Sequence, residues 1–254
     1  MDLSVLILTY NEENHIKDCL KSVEFADEII VVDSYSEDST GEIVKNSGAN
    51  LILNSWPGYA EQRHFGIKKC SGDWVLMVDA DERVTEKLKD KIIEITKKKN
   101  EDNIYGYKIP RKNFAFGRHM KHMWPARSLR LFKKNRHKVT LDREVHEKIL
   151  VDGKVKNLKE HMIHYTYDTI DQYINKMKEY TTLIARQKYN ENPQKSKTKI
   201  RLYSIVRFFH MFLDKYISRG GFRDGVYGFY LSLLSGLYAM TSELKIIEIM
   251  EDKE

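Results

Sequence analysis

Short apolar runs and longer amphipathic stretches alternate through the first hundred residues. The runs at 3–8, 28–32, 50–53 and 74–78 are rich in Val, Ile and Leu, too short for helices and bounded by polar turn residues, which predicts buried strands. Stretches 13–23, 39–46, 59–69 and 85–98 have helical length, with capping signals at Asp38-Ser39-Thr40 and at Thr85 before Glu86. This alternation on short connections predicts an α/β fold: right-handed crossovers and a mostly parallel, Rossmann-like sheet with helices on both faces. Ligands of such sheets sit at the carboxyl ends of the strands. Here those ends are Tyr10-Asn11-Glu12, Asp33-Ser34-Tyr35-Ser36, Asn54-Ser55-Trp56 and Asp79-Ala80-Asp81-Glu82.

The alternation stops after residue 100. From 104 to 152 the chain turns aromatic and basic, with Trp124, Phe132, Arg127 and Arg130 among others, and short strands are predicted at 104–109, 128–132 and 145–151. A long helix is predicted over 169–189, followed by a linker at 190–198 that contains Pro193. Beyond it Leu202, Ile205, Val206, Phe209, Phe212, Leu213 and Tyr216 recur at three- and four-residue intervals, with Arg207, His210 and Lys215 on other faces. After Gly220-Gly221, the uncharged run 226–240 is 15 residues long, short of the ~20 that span a hydrocarbon core. Gly228, Ser232, Ser235 and Ala239 share one stripe of it, a pattern suited to close helix packing. Residues 166–254 therefore read as a helical region that contacts a membrane peripherally through 201–240 or joins two subunits into a homo-oligomer; an ordinary core helix is the alternative.

Charge sharpens this division. The 254 residues carry 43 Lys plus Arg against 37 Asp plus Glu, a net charge of +6. Segment 186–223 alone holds ten basic and two acidic residues, so the remainder is slightly acidic. A basic patch of this kind is aimed at something anionic, a membrane surface or a nucleic acid, or is a solvated helical face that keeps the protein soluble. Cys19 and Cys70 are isolated, which excludes a disulfide scaffold and a zinc knuckle. Asp2 stands where a signal peptide would carry a basic residue, so an unsecreted protein is expected.

Asp79-Ala80-Asp81 carries the clearest chemistry. Two carboxylates just past a buried strand suit a hard divalent cation, Mg²⁺ or Mn²⁺, held together with substrate phosphates. The competing role is electrostatic capping of the helix that follows, with Asp81-Glu82 near its start. Asp33 and the Glu12 region at neighbouring strand ends favour a shared crevice. A nucleotidyltransferase would carry a glycine-rich phosphate loop after the first strand, whereas here the strand runs into Thr9-Tyr10-Asn11-Glu12. A nucleic-acid-binding module would leave Asp33, Asp79 and Asp81 without a role, and the apolar residues among the C-terminal cations suit a bilayer better; no nucleic-acid partner is expected.

Three segments now converge on one family. Leu8-Thr9-Tyr10-Asn11-Glu12, the run from Val31-Val32-Asp33 to Asp38-Ser39-Thr40, and the run from Gly72-Asp73-Trp74 to Asp79-Ala80-Asp81-Glu82 resemble the signatures of family 2 glycosyltransferases with the GT-A fold. Gln62-Arg63, Leu129-Arg130-Leu131-Phe132 and Val145-His146-Glu147 are similar to bacterial lipopolysaccharide-core glucosyltransferases. The resemblance covers residues 1–165, with a nucleotide-sugar half at 1–100 and an acceptor half at 101–165. It implies an inverting, metal-dependent transfer from a nucleotide-sugar donor, most often UDP-linked. The acceptor would be a glycan or lipid-linked glycan of the cell envelope, reached from the inner face of the cytoplasmic membrane. Transfer to a polypeptide would use the same donor machinery. By position, the resemblance implies that Tyr10, Glu12 and Asp33 hold base and ribose, Asp79 the ribose or the metal, Asp81 the metal, and Gln62 and Arg63 the diphosphate. Glu147 would be the catalytic base, with Trp124, Arg127, Arg130 and His146 on the acceptor side. His164, a lone histidine, stands outside this set.

Overall fold

The computed structural model describes residues 2–98, 103–122, 127–139, 149–192 and 196–252. Four strands, β1 (Leu3–Thr9), β2 (Glu28–Asp33), β3 (Asn50–Leu53) and β4 (Trp74–Asp79), pair in parallel in the order β3-β2-β1-β4. The helices between and after them are α1 (Ile16–Ser22), α2 (Thr40–Asn46), α3 (Tyr59–Lys69) and α4 (Glu86–Lys97).

Alternate residues of each buried strand serve opposite layers, as the pleat requires. Val5, Ile7, Leu76 and Val78 meet Ile16, Cys19 and Leu20 of α1, Val44 of α2, and Leu88 and Ile92 of α4. Leu6, Val32, Val75 and Met77 face the other way, against Ile67 of α3 and Cys70 just beyond it. A Cβ on Gly66 would come within 2.5 Å of Leu6, so only glycine lets α3 lie this close to β1. The register sets Thr9 opposite Asp33 and Leu8 opposite Asp79, which brings three strand ends side by side.

Past β4 the sheet becomes mixed. Its further strands are β5 (Glu82–Val84), β6 (Ile104–Ala115), β7 (Arg118–Met120) and β8 (Arg127–Lys133), then β9 (His137–Val139), β10 (Ile149–Val151), β11 (Lys154–Asn157) and β12 (Met162–Tyr167). The order continues β4-β8-β6-β12-β5, with β8 antiparallel to both β4 and β6, and β12 antiparallel to β5; β9 and β10 form a separate pair. The strand expected at 104–109 runs on through Pro110 to Ala115. Of the one expected at 145–151, only Ile149–Val151 lies within the described residues.

The chain divides into two units, Met1–Lys112 with Ala126–Tyr165, and Asn113–Pro125 with Thr166–Glu254. The 113–125 segment, read from sequence as part of the acceptor half, groups with the helices. In that second unit α5 (Ile170–Glu191), α6 (Lys197–Leu213) and α7 (Gly225–Glu251) pack together. The Thr169 hydroxyl caps α5 by accepting the Gln172 N–H at 3.1 Å. A π turn (Asp214–Ser218) and a 3-10 turn (Gly221–Asp224) join α6 to α7. The uncharged run 226–240 is thus the first part of a longer helix, and none of the described helices is long and apolar enough to cross a membrane. Its small residues are buried in packing: a Cβ on Gly228 would lie 1.9 Å from the Gly221 carbonyl oxygen.

Candidate active site

The loops after β1 and β2 are laced together by side chains that satisfy each other's backbone. The Asn11 N–H donates to Ser36 Oγ at 2.9 Å, and Asn11 Oδ1 accepts from the Glu37 N–H at 2.8 Å. The Glu12 N–H donates to Thr40 Oγ1 at 2.8 Å, and Glu13 Oε2 accepts from the Ser39 N–H at 3.0 Å. Asn11 and Tyr35 take left-handed backbone angles, φ +53° and +64°, to make these turns. Tyr10 and Tyr35 are left more than half exposed at the rim, where aromatic faces are available to a flat ring.

Asp33 ends β2 buried, and its carboxylate accepts the Ser36 N–H at 3.1 Å and the Ser36 hydroxyl at 2.5 Å. Its bonds therefore hold the loop in shape. Gln62 is fully buried on α3: its amide donates to Ser34 Oγ at 3.0 Å and accepts from Asn54 at 2.6 Å. Gln62, which the resemblance assigns to the diphosphate, braces the loops after β2 and β3 through these bonds. The next residue, Arg63, lies close enough to Asp79 for its charge to favour the ionised carboxylate.

At the end of β4 a buried network fixes the acids. Arg130, on β8, donates through Nη2 to Asp79 Oδ2 at 2.6 Å and to Glu82 Oε1 at 2.7 Å. Its Nε donates to Ser128 Oγ at 3.2 Å, and Arg111 on β6 reaches Glu82 Oε1 at 3.3 Å. The Asp79 N–H closes the turn by donating to Glu82 Oε2 at 3.0 Å. Burial works to raise the Asp79 pKa, but the charge and hydrogen bond of Arg130, with Arg63 and Arg111, hold it well below the usual carboxylate range. Glu82 is pushed up, first by burial and also by the neighbouring Asp79 charge, against the opposing pull of Arg130. The guanidinium of Arg130, a residue expected on the acceptor side, is enclosed with these two carboxylates, since an arginine set in an apolar strand needs anionic partners.

Asp81 behaves differently from Asp79. Its Oδ2 lies 3.3 Å from His164 Nε2, while its Oδ1 is buried and has no hydrogen-bond partner among the described residues. The pairing of β12 with β5, His164 opposite Glu82, makes this juxtaposition, and the Tyr165 N–H donates to the Asp81 carbonyl at 2.9 Å. An unsatisfied carboxylate oxygen beside an imidazole nitrogen fits a partial donor set for Mn²⁺ or Mg²⁺, the remaining positions falling to water and phosphate oxygens. No group of three or more His, Cys, Asp or Glu able to hold a metal is found among the described residues. Asp81 and Glu82 do not cap α4: Glu82 begins β5, and Thr85 is the residue before the helix. Arg127 is exposed at the start of β8, while Trp124, His146 and Glu147 lie outside the described residues.

Sequence reasoning missed Glu82, Arg111 and Tyr35 and set His164 aside. No spacing rule links His164 to Asp81, since only the β5–β12 register joins them.

The model of the family described as Glycosyl transferase family 2 matches residues 4–219. A lipopolysaccharide core biosynthesis glycosyltransferase of Rhizobium meliloti, LpsC, is 30% identical over 98% of this chain and 93% of that protein. An uncharacterized glycosyltransferase of Rickettsia typhi is 29% identical over 98% of this chain and 87% of its own length. Among solved structures, glucosyl-3-phosphoglycerate synthase of Mycobacterium tuberculosis in complex with Mn²⁺ and UDP is 25% identical over 45% of this chain and 44% of that chain, with a TM-score of 0.35.

Proposed function

Because the chain belongs to glycosyl transferase family 2, we propose that it performs an inverting transfer of a sugar from a UDP-linked donor to a glycan or lipid-linked glycan of the cell envelope, at the inner face of the cytoplasmic membrane. The Rhizobium relative, named for lipopolysaccharide core biosynthesis, supports that acceptor class. The donor is received at the three strand ends, with the base against Tyr10 and Tyr35 and the ribose near Glu12 and Asp33. Asp81 and His164 would hold a divalent Mg²⁺ or Mn²⁺, which would neutralise charge on the departing diphosphate. Arg63 adds a guanidinium matched to phosphate oxygens. The network of Arg130 with Asp79 and Glu82 keeps the Asp81 turn in place. On the acceptor side, with Trp124, Arg127 and His146, Glu147 takes the proton of the attacking hydroxyl as the new glycosidic bond forms and the bond to the diphosphate breaks.

The observation that carries this reading is the buried, unpartnered Oδ1 of Asp81 beside His164. Thermal shifts with UDP-, GDP- and dTDP-sugars, each with Mn²⁺ or Mg²⁺, test it, because a ligand of the native state raises its melting temperature. A UDP-sugar should stabilise the protein only with metal, and Asp81→Asn should abolish that gain while leaving the ligand-free melt unchanged. A donor shift independent of metal and indifferent to Asp81→Asn contradicts the proposal. Glu147→Gln should keep the donor-induced shift and lose about 10²–10⁴ in transfer rate; if binding falls equally, Glu147 is not the base.

A further inference from the structure

On an ordinary surface helix the apolar residues face inward. In α6 the outward face is apolar as well. Ile200 and Ser204 are buried within the second unit, whereas Leu202 is 64%, Val206 61% and Phe209 56% exposed, with Ile205 and Leu213 beside them. At about 100° per residue these five side chains fall within about a third of the helix circumference, opposite the buried pair. Ile217 and Phe222 in the turns that follow, and Val226 at the start of α7, are exposed as well. Exposed cations border this apolar stripe. Lys199 and Arg201 flank its first turn, and Arg219 and Arg223 stand at its far end, the latter over the Phe222 ring at 5.4 Å. Between 192 and 223 the sequence contains one acid, Asp214, which pairs with Arg219 at 2.9 Å.

We propose that this face of α6 and the turns after it dock on the surface of an anionic bilayer, with the helix lying in the interfacial plane. The proposal narrows the membrane contact of the foregoing reading to one face and one lipid chemistry, and does not depend on the donor chemistry. The exposed apolar side chains would enter the acyl boundary, and the bordering cations would meet lipid phosphates. A second copy of the chain across a two-fold axis would set those cations against their own kind. A nucleic acid would match the charge and leave the apolar stripe in water. The small-residue stripe of α7 takes no part, because it is closed by packing within the unit.

Co-sedimentation of the full chain with phosphatidylcholine vesicles, with and without about 30% phosphatidylglycerol, tests the docking; sedimentation velocity without lipid runs in parallel. Binding to the anionic vesicles should be about tenfold or more tighter than to the neutral ones. The double variant Val206→Glu, Phe209→Glu should lose about tenfold or more of it, and Lys199→Glu, Arg201→Glu should weaken it while leaving the apolar stripe intact. Both variants should keep the wild-type melting temperature and donor-induced shift, which separates failure of docking from failure of the transferase reading. Absence of binding, equal binding to both vesicle types, or undiminished binding by the apolar variant overturns the proposal. So does a dimer in the absence of lipid that this variant abolishes, which assigns the face to a second copy.

Discussion

Arg130 serves two carboxylates at once, and one of them, Glu82, has no access to water. Replacing it with Leu removes the charge that offsets Glu82 and leaves a buried acid without its main partner, a change that costs about 3–5 kcal/mol. Urea denaturation of Arg130→Leu should show a loss of that size; one below about 1 kcal/mol would mean that Arg111 alone compensates Glu82. Asp79, one-third exposed, contributes the smaller part of the effect. Asp79 and Asp81 could be picked out from sequence because they follow an unbroken apolar run. The partners that set them apart could not. Arg130 sits in Leu129-Arg130-Leu131, where nothing local says which side of the sheet its guanidinium takes, and Gln62 reads like any polar residue of a helix. Their roles depend on contacts across tens of residues.

Among the elements, those with a strong period were legible: β1 to β4 and α1 to α5 stand where the apolar pattern puts them, within a few residues. Of the later strands, β8 was expected at 128–132 and β6 in its first half, whereas β5 and the parallel β11 were not legible. β5 has three residues, β11 is exposed at all four of its positions, and β6 continues through a proline that ordinarily marks a strand end. Such strands are specified by their neighbours more than by their own residues. Periodicity also says which residues share a face without saying which face is covered. Leu88 of α4 and Leu202 of α6 both lie in amphipathic helices, yet the first is fully buried and the second 64% exposed. Leu88→Ala should cost about 2–5 kcal/mol, and Leu202→Ala should stay within about 0.5 kcal/mol in the absence of lipid, both read from denaturant midpoints. Equal costs would mean that α6 is covered in solution.

The molecule as a whole carries several carboxylates whose pKa values lie below their ordinary range. Asp27 accepts the N–H groups of Leu3 and Asp2. In Glu28, Asp38 and Asp79 burial is outweighed by the Ser4 hydroxyl, the Thr40 hydrogen bonds and Arg130 respectively. Each stabilises the fold above its unfolded pKa, near 4, and loses that contribution as the pH falls through its lowered native value. Glu82 has the opposite sign, since its raised value means that protonation relieves it. With Glu94, lowered by its hydrogen bond to Lys91, five carboxylates stand against Glu82, so the melting temperature should hold between about pH 5 and 8 and fall below about pH 4; a rise on acidification would show that Glu82 dominates. The two thiols are buried on opposite sides of the parallel sheet, Cys19 with α1 and Cys70 just after α3. Burial pushes the Cys70 thiol up to about 12 and Cys19 higher still, so neither is a reactive thiolate at neutral pH. Nature has thereby placed a chemical clock on each flank. Timed alkylation in sub-denaturing urea would modify both at one rate if the flanks peel away together, and Cys70 sooner if α3 lifts first.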